Sequence, residues 1–310
     1  MKYGHFDVKR REYVIDRVDV PVSWTNYLGV EELCAVVNHT AGGYLFYQSP
    51  EHHRITRFRP NGVPMDRPGH YLYLRDDETG EYWSVSWQPC GGDLEDYRCR
   101  HGLSYSAYEC VRGGIRAAQT LFIPRGESVE LWDLALENTS GRPRSLSVYS
   151  YAEFSYHQIP IDNQNFQMSL YCAGSSCADG IIDYELFYEH ARQFMAASFE
   201  PDGFDCLRDS FLGPYRTEAN PLAVERGECF SSFEKGGSHC AVLQKSSPWP
   251  PAKPLASPGC WGRAARRRGR ASGRNTGTLP PWTGPWRIWP GTGTESCPSS
   301  RRPPPTRTWT

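Results

Sequence analysis

Apolar and polar positions alternate along the chain from residue 102 to residue 154. Gly102 to Cys110 reads as a strand, and Gly113-Gly114 as the turn after it. Ile115, Ala117, Leu121 and Ile123 then share one face, with Arg116, Thr120 and Phe122 on the other. Successive side chains of a strand point to opposite faces, so this spacing predicts a half-buried strand. Pro124-Arg125-Gly126 ends it. Val129 to Glu137 forms the next strand, and Asn138-Thr139-Ser140-Gly141 a loop. Beyond it Leu146, Val148, Ala152 and Phe154 alternate with Ser147, Tyr149, Tyr151 and Glu153. Runs of this kind joined by short turns predict antiparallel sheet with one face on a core. Ile181 to Phe187 and Gln193 to Phe199 add two more strands, and Val30 to Val37 reads as a short helix. The fold class expected is mainly β, a large antiparallel β-sandwich of about 12–18 strands.

The pattern stops near Lys245. Residues 1–245 carry a net charge of -11, with 23 Lys+Arg against 34 Asp+Glu. Residues 246–310 carry +10, with 10 Arg, one Lys and the single acid Glu295. These last residues hold 13 of the 25 Pro and 6 of the 10 Trp, and no Val, Phe, Tyr or Asp. Neither a 3.6 nor a 2.0 hydrophobic period survives there, so a disordered tail is expected. Three readings fit it. It is a basic arm around Arg266-Arg267-Arg268, a proline-rich ligand at Pro303-Pro304-Pro305, or GC-rich coding sequence translated out of frame. The concentration of Arg, Pro, Gly, Ala, Ser and Trp favours the third, and no function is assigned to the tail. The expected organisation is a sandwich domain over 1–245 and a tail over 246–310.

Composition excludes some roles. No run of 18 apolar residues exists, so no membrane helix is expected. The opening MKYGHFDVKRREYV lacks the apolar core of a signal peptide. A net charge of -1 argues against a nucleic-acid binder. Eleven Cys are spread without tight pairs, and neither Cys172 with Cys177 nor Cys229 with Cys240 makes a zinc or redox motif. Reduced, buried thiols in a cytoplasmic protein are expected, with no cofactor and no metal.

Several stretches could carry chemistry. Aromatics are plentiful before residue 90, among them Trp24, Tyr27, Tyr44, Tyr71 and Trp87. They suit sugar stacking, and they suit strands equally. Arg54-Ile55-Thr56-Arg57-Phe58-Arg59 reads as an anion site or, more simply, a solvated strand face. Asn61-Gly62 reads as a tight turn. Asp162-Asn163-Gln164-Asn165-Phe166-Gln167 is a polar loop whose amides can donate and accept at once, as sugar hydroxyls require. Asp202, Asp205, Asp209, Glu218, Glu225 and Glu228 crowd one region. An inverting glycosidic cleavage needs two groups about 6.5–9.5 Å apart, which spacing in sequence does not reveal. No catalytic residue is assigned.

The opening MKYGHFD and REYVIDRVDVPVSWTNYLG resemble the start of the cellobiose phosphorylase family, glycoside hydrolase family 94. TAGGYLFYQ, RITRFRPNGVPMD, CRHGLSY and FEPDGFDCLRDSFLGPYRTEANPLAVERGE extend the resemblance in the family's order across most of residues 1–245. It implies a galactose-mutarotase-like supersandwich that precedes a helical barrel in a much longer, homodimeric, cytoplasmic enzyme. Such enzymes cleave a β-glucosidic disaccharide with inorganic phosphate, inverting the anomeric centre, to give a sugar 1-phosphate. The general acid and most of the phosphate site sit on the barrel, so this chain is expected to be an inactive fragment. A non-catalytic carbohydrate-binding module is the alternative. The family's Asn-Phe-Gln-Arg loop, which reaches the acceptor sugar in the partner subunit, reads Asn165-Phe166-Gln167-Met168 here. The resemblance carries Asn165, Phe166 and Gln167 over as substrate-binding residues. Met168 departs from it: a thioether replaces a guanidinium, so an acceptor other than plain glucose is expected, in another disaccharide or a sugar acid.

Overall fold

The structure is a computed structural model that describes residues 2–59, 66–164, 171–189, 191–251 and 286–293, with the backbone path alone for 163–164 and 286–293. Its strands are, in chain order, β1 (Gly4–Asp7), β2 (Glu12–Ile15), β3 (Thr25–Leu28), β4 (Leu33–Asn38), β5 (Gly43–Tyr47), β6 (Arg54–Thr56), β7 (Tyr71–Asp76), β8 (Tyr82–Ser84), β9 (Asp96–His101) and β10 (Tyr105–Arg112). There follow β11 (Ile115–Phe122), β12 (Leu131–Asn138), β13 (Arg144–His157), helix α1 (Ile159–Gln164), β14 (Ala173–Ala178), β15 (Ile181–Leu186), β16 (Ala191–Ala197) and β17 (Gly203–Leu207). Helices α2 (Arg208–Leu212) and α3 (Leu222–Arg226) precede β18 (Glu234–Lys235), β19 (His239–Trp249) and β20 (Trp286–Gly293).

These strands make two antiparallel sheets. One has eleven strands in the order β1-β2-β9-β10-β11-β12-β20-β16-β15-β14-β18. The other has nine, running β17-β19-β13-β6-β5-β4-β3, with β7 on β13 and β8 on β7. The sheets pack face to face over one core. Tyr97 and Tyr108 of the larger sheet donate across it to the carbonyls of His39 and Asn38, and Phe154 stacks on Tyr184 at 4.6 Å. This is the large antiparallel sandwich that the alternation predicts.

The β10–β11 hairpin follows the sequence closely. Gly113 and Gly114 take φ of 58° and 74°, and a two-residue turn with both φ positive matches the strand twist. Ile115, Ala117 and Leu121 are buried, as their spacing requires.

Three stretches depart from the sequence reading. Residues 33–38 form β4, not a helix. Leu33, Ala35 and Val37 are buried while Cys34 and Val36 are half-buried, which is a strand's period, and β-branched Val36 and Val37 favour that state. β13 is buried on both faces, not one. Its second face is covered by α2, where Phe211 stacks on Tyr151 at 5.3 Å and lies 6.0 Å from Tyr73. Finally, β19 crosses the compositional break and ends at Trp249, because its backbone continues to pair with β13 as far as Arg144. Within the last 65 residues, 286–293 form β20, while 252–285 and 294–310 lie outside the described residues.

Candidate functional site

The polar centre of the molecule lies where β13 ends. Glu153 sits on the face of β13 that turns toward α2, and it is 1% exposed. Its Oε1 accepts from the Tyr151 hydroxyl at 2.7 Å and from Arg208 Nε at 2.9 Å. Its Oε2 lies 3.6 Å from Arg57 and 3.7 Å from Arg59. Burial alone would raise its pKa, but Arg208, Arg57 and Arg59 outweigh burial and hold it at about 2. Arg208 also donates to Glu218 at 2.9 Å, and the Glu218 carbonyl accepts from Tyr73 at 2.7 Å.

The same network fastens α1. Asp162 Oδ1 accepts from the backbone N–H of Tyr156 at 2.9 Å, and Oδ2 from the Ser155 hydroxyl at 2.5 Å. Arg57 Nε lies 3.5 Å from Asp162, and its guanidinium covers the Tyr156 ring at 4.9 Å. Between Phe154 and His157 the ladder to β6 shifts register, and His157 takes φ of 64°. A bulge of this kind re-aims side chains at a sheet's rim. His157 Nδ1 meets Glu189 at 2.6 Å, and Gln158 also donates to Glu189 at 3.3 Å. Burial lowers the His157 pKa, against the opposing pull of Glu189. The Tyr188 hydroxyl donates to the Tyr156 carbonyl at 2.5 Å. Tyr171 is 62% exposed nearby in sequence.

This rim brackets the loop that the sequence singles out. Asn165, Phe166, Gln167 and Met168 lie outside the described residues, as does the Asn61-Gly62 turn. Asp162 is not part of a solvated loop: it belongs to α1 and is tied to β13. The string Arg54 to Arg59 is not one solvated face. Arg54 is buried, with its guanidinium 3.9 Å from the Tyr44 ring centre, and Arg57 is buried between Glu153 and Asp162. Of the crowded carboxylates, Asp209 and Glu218 share Arg208, and the other four have separate partners. Asp205 accepts from the N–H groups of Phe230 and Ser232, Glu225 binds Arg216, Glu228 binds Arg226, and Asp202 binds Lys245. Glu153 and Arg208 were not marked by the sequence reading. The available signal was a lone carboxylate on an aromatic strand in a chain that also carries three closely spaced arginines.

Other polar side chains are sealed in the core. Ser175 Oγ contacts His239 Nδ1 at 2.6 Å, with His239 1% exposed. His70 and Glu130, both 0% exposed, meet at 3.3 Å, and Trp132 donates to the same Glu130 oxygen at 2.8 Å. Burial pushes Glu130 up to about 8 and His70 down to about 4. Burial pushes the Cys110 thiol up to about 12, far from nucleophilic. A cleft between Gly29–Glu31 and Ile123–Glu127 has a cavity volume of only about 10 Å³, far below the usual range for ligand pockets. Among the described residues, the charged network of Glu153, Arg57, Arg208 and Asp162 ties α1 to β13, next in sequence to residues 165–170.

Residues 11–251 match the supersandwich domain of glycosyl hydrolase 94. The chain belongs to that family, as the sequence motifs imply. It is 53% identical over 251 residues to an N,N'-diacetylchitobiose phosphorylase from Vibrio proteolyticus, covering 79% of this chain and 31% of that protein. It is 30% identical over 267 residues to a solabiose phosphorylase from Paenibacillus borealis, covering 84% of this chain and 35% of that one. The chain thus spans about a third of the length of these relatives.

Proposed function

We propose that residues 2–251 are the supersandwich domain of an inverting disaccharide phosphorylase that acts on a β-linked N-acetylglucosamine disaccharide. The observation that carries this reading is the 53% identity to a chitobiose phosphorylase, against 30% to the solabiose enzyme. In the reaction, a phosphate oxygen attacks the anomeric carbon while the glycosidic C–O bond breaks. A general acid gives its proton to the departing oxygen, so N-acetylglucosamine leaves and its 1-phosphate forms. Both that acid and the phosphate grip belong to the barrel that the family carries.

The domain's part is positional. Asn165, Phe166 and Gln167 reach the acceptor sugar in a homodimer, and the Gln167 amide meets its hydroxyls as donor and acceptor. Met168, where cellobiose phosphorylases often carry arginine, is consistent with an acceptor other than glucose. The Glu153–Arg57–Asp162 mount supports this role, since a 1 Å displacement of a positioning group can cost about 10²-fold in rate. Residues 252–310 read as out-of-frame translation, and the enzyme works in the cytoplasm.

The chain is inactive on its own. Incubated with N,N'-diacetylchitobiose and phosphate, the purified polypeptide will release no sugar 1-phosphate. Turnover by this chain would refute the assignment of the acid and phosphate grip to the barrel.

A further inference from the structure

The larger sheet has a gap in the middle. Within residues 11–251, the part that matches the family domain, β12 and β16 do not pair with each other. Six strands end at β12 and four begin at β16, and β20 alone joins them. Neighbouring strands lie about 4.8 Å apart, so the opening is about 10 Å wide and admits a single strand. Its floor is the core: Trp132 and Leu134 on β12, and Met195 on β16, are buried there. Without a strand between them, both edges would present unpaired N–H and C=O groups beside buried apolar side chains, an arrangement that recruits an extended chain.

We propose that this gap is a strand-acceptor slot, occupied in this chain by its own residues 286–293 and built for a better strand than they supply. The register supports the occupant. Trp286, Arg287 and Ile288 stand opposite Leu134, Asp133 and Trp132, while Ile288 to Gly293 stand opposite Ala197 back to Arg192. Ile288 faces both edges at once, opposite Trp132 and Ala197. The poor fit also follows from the residues. Pro290, opposite Met195, has no N–H to give to a ladder, and proline is confined to edge strands, first positions and bulges. Gly291 and Gly293 add chain entropy and no packing. An extended segment with alternating β-branched residues and no proline would suit the slot better.

Hydrogen exchange on the full chain tests this, read at residues 132–134 and 192–197 with β13 as the internal reference. Pro290→Val should slow exchange at both edges at least tenfold. Ile288→Pro should speed exchange at both edges while β13 stays protected. Equal exchange at both edges in the wild type and both variants would overturn the slot. A dimer whose edge protection disappears on dilution would assign the strand to a second copy and overturn occupation by the chain's own segment.

Discussion

Two buried glutamates show how one fold settles the same problem in opposite ways. Glu153 and Glu130 are both removed from water. Around Glu153 the fold gathers Arg57, Arg59 and Arg208, and the carboxylate stays ionised with a pKa of about 2. Around Glu130 it supplies the indole N–H of Trp132 and the ring of His70, and the acid is pushed up to about 8. Burial disfavours the ion in both places, and the partners decide the outcome. The ionised cluster lies beside α1 and ties that helix to β13. The neutral pair lies between the sheets, where burial keeps the Glu130 carboxyl protonated and His70 neutral.

The largest effect should come from breaking the ionised cluster. Glu153→Gln leaves buried Arg57 and half-buried Arg208 short of their counter-charge, and breaking a buried pair costs roughly 3–5 kcal/mol. Urea unfolding at pH 7 measures it, and a loss under 1 kcal/mol would show that the arginines find other partners. Acid does the same to the wild type. A depressed folded pKa gives stability that is present above the unfolded value, so about 3 kcal/mol should disappear as pH falls from about 5 to 2.

Glu130 should respond on the other side of neutrality. The unfolded chain loses the Glu130 proton near pH 4.3 and that of His70 near 6.5. The folded pair keeps one proton up to about 8. Between pH 4.3 and 6.5 the two states hold equal numbers, so the pair has no effect there. From 6.5 to 8 only the folded state is protonated, and stability should fall by about 2 kcal/mol. In Glu130→Gln that alkaline decline should be absent. An equal decline in both proteins would remove Glu130 as its source.

Asp162→Asn should give the smallest change of the three. It weakens the bonds from Tyr156 N–H and Ser155 and the attraction of Arg57, for about 1–2 kcal/mol. Amide exchange should quicken in α1 and not in β10–β11. Uniform quickening would mean that Asp162 does not specifically hold the helix.

The same contrast explains how far the sequence could be read. The sandwich was legible because strand burial repeats every two residues, as in Ile115, Ala117 and Leu121, and because Gly113-Gly114 marks its own turn. β13 was read as half-buried because Tyr149, Tyr151 and Glu153 look like a polar face until α2 covers them. α2 and α3 were missed because five residues are too few for a helical period to register. The ionised cluster joins residues 57, 153, 208 and 218, which only the fold brings together. The candidate loop rests on its motif alone, since Asn165, Phe166 and Gln167 carry no periodic signal and lie outside the described residues.

The account stands on this domain's equivalence to the one in chitobiose phosphorylases. The direct test is a chimera, with residues 2–251 replacing the matching domain of the Vibrio proteolyticus enzyme, assayed for sugar 1-phosphate from N,N'-diacetylchitobiose and from cellobiose. The chimera should turn over chitobiose within about tenfold of the parent enzyme and prefer it to cellobiose. A folded chimera that cleaves neither, or prefers cellobiose, would contradict the account.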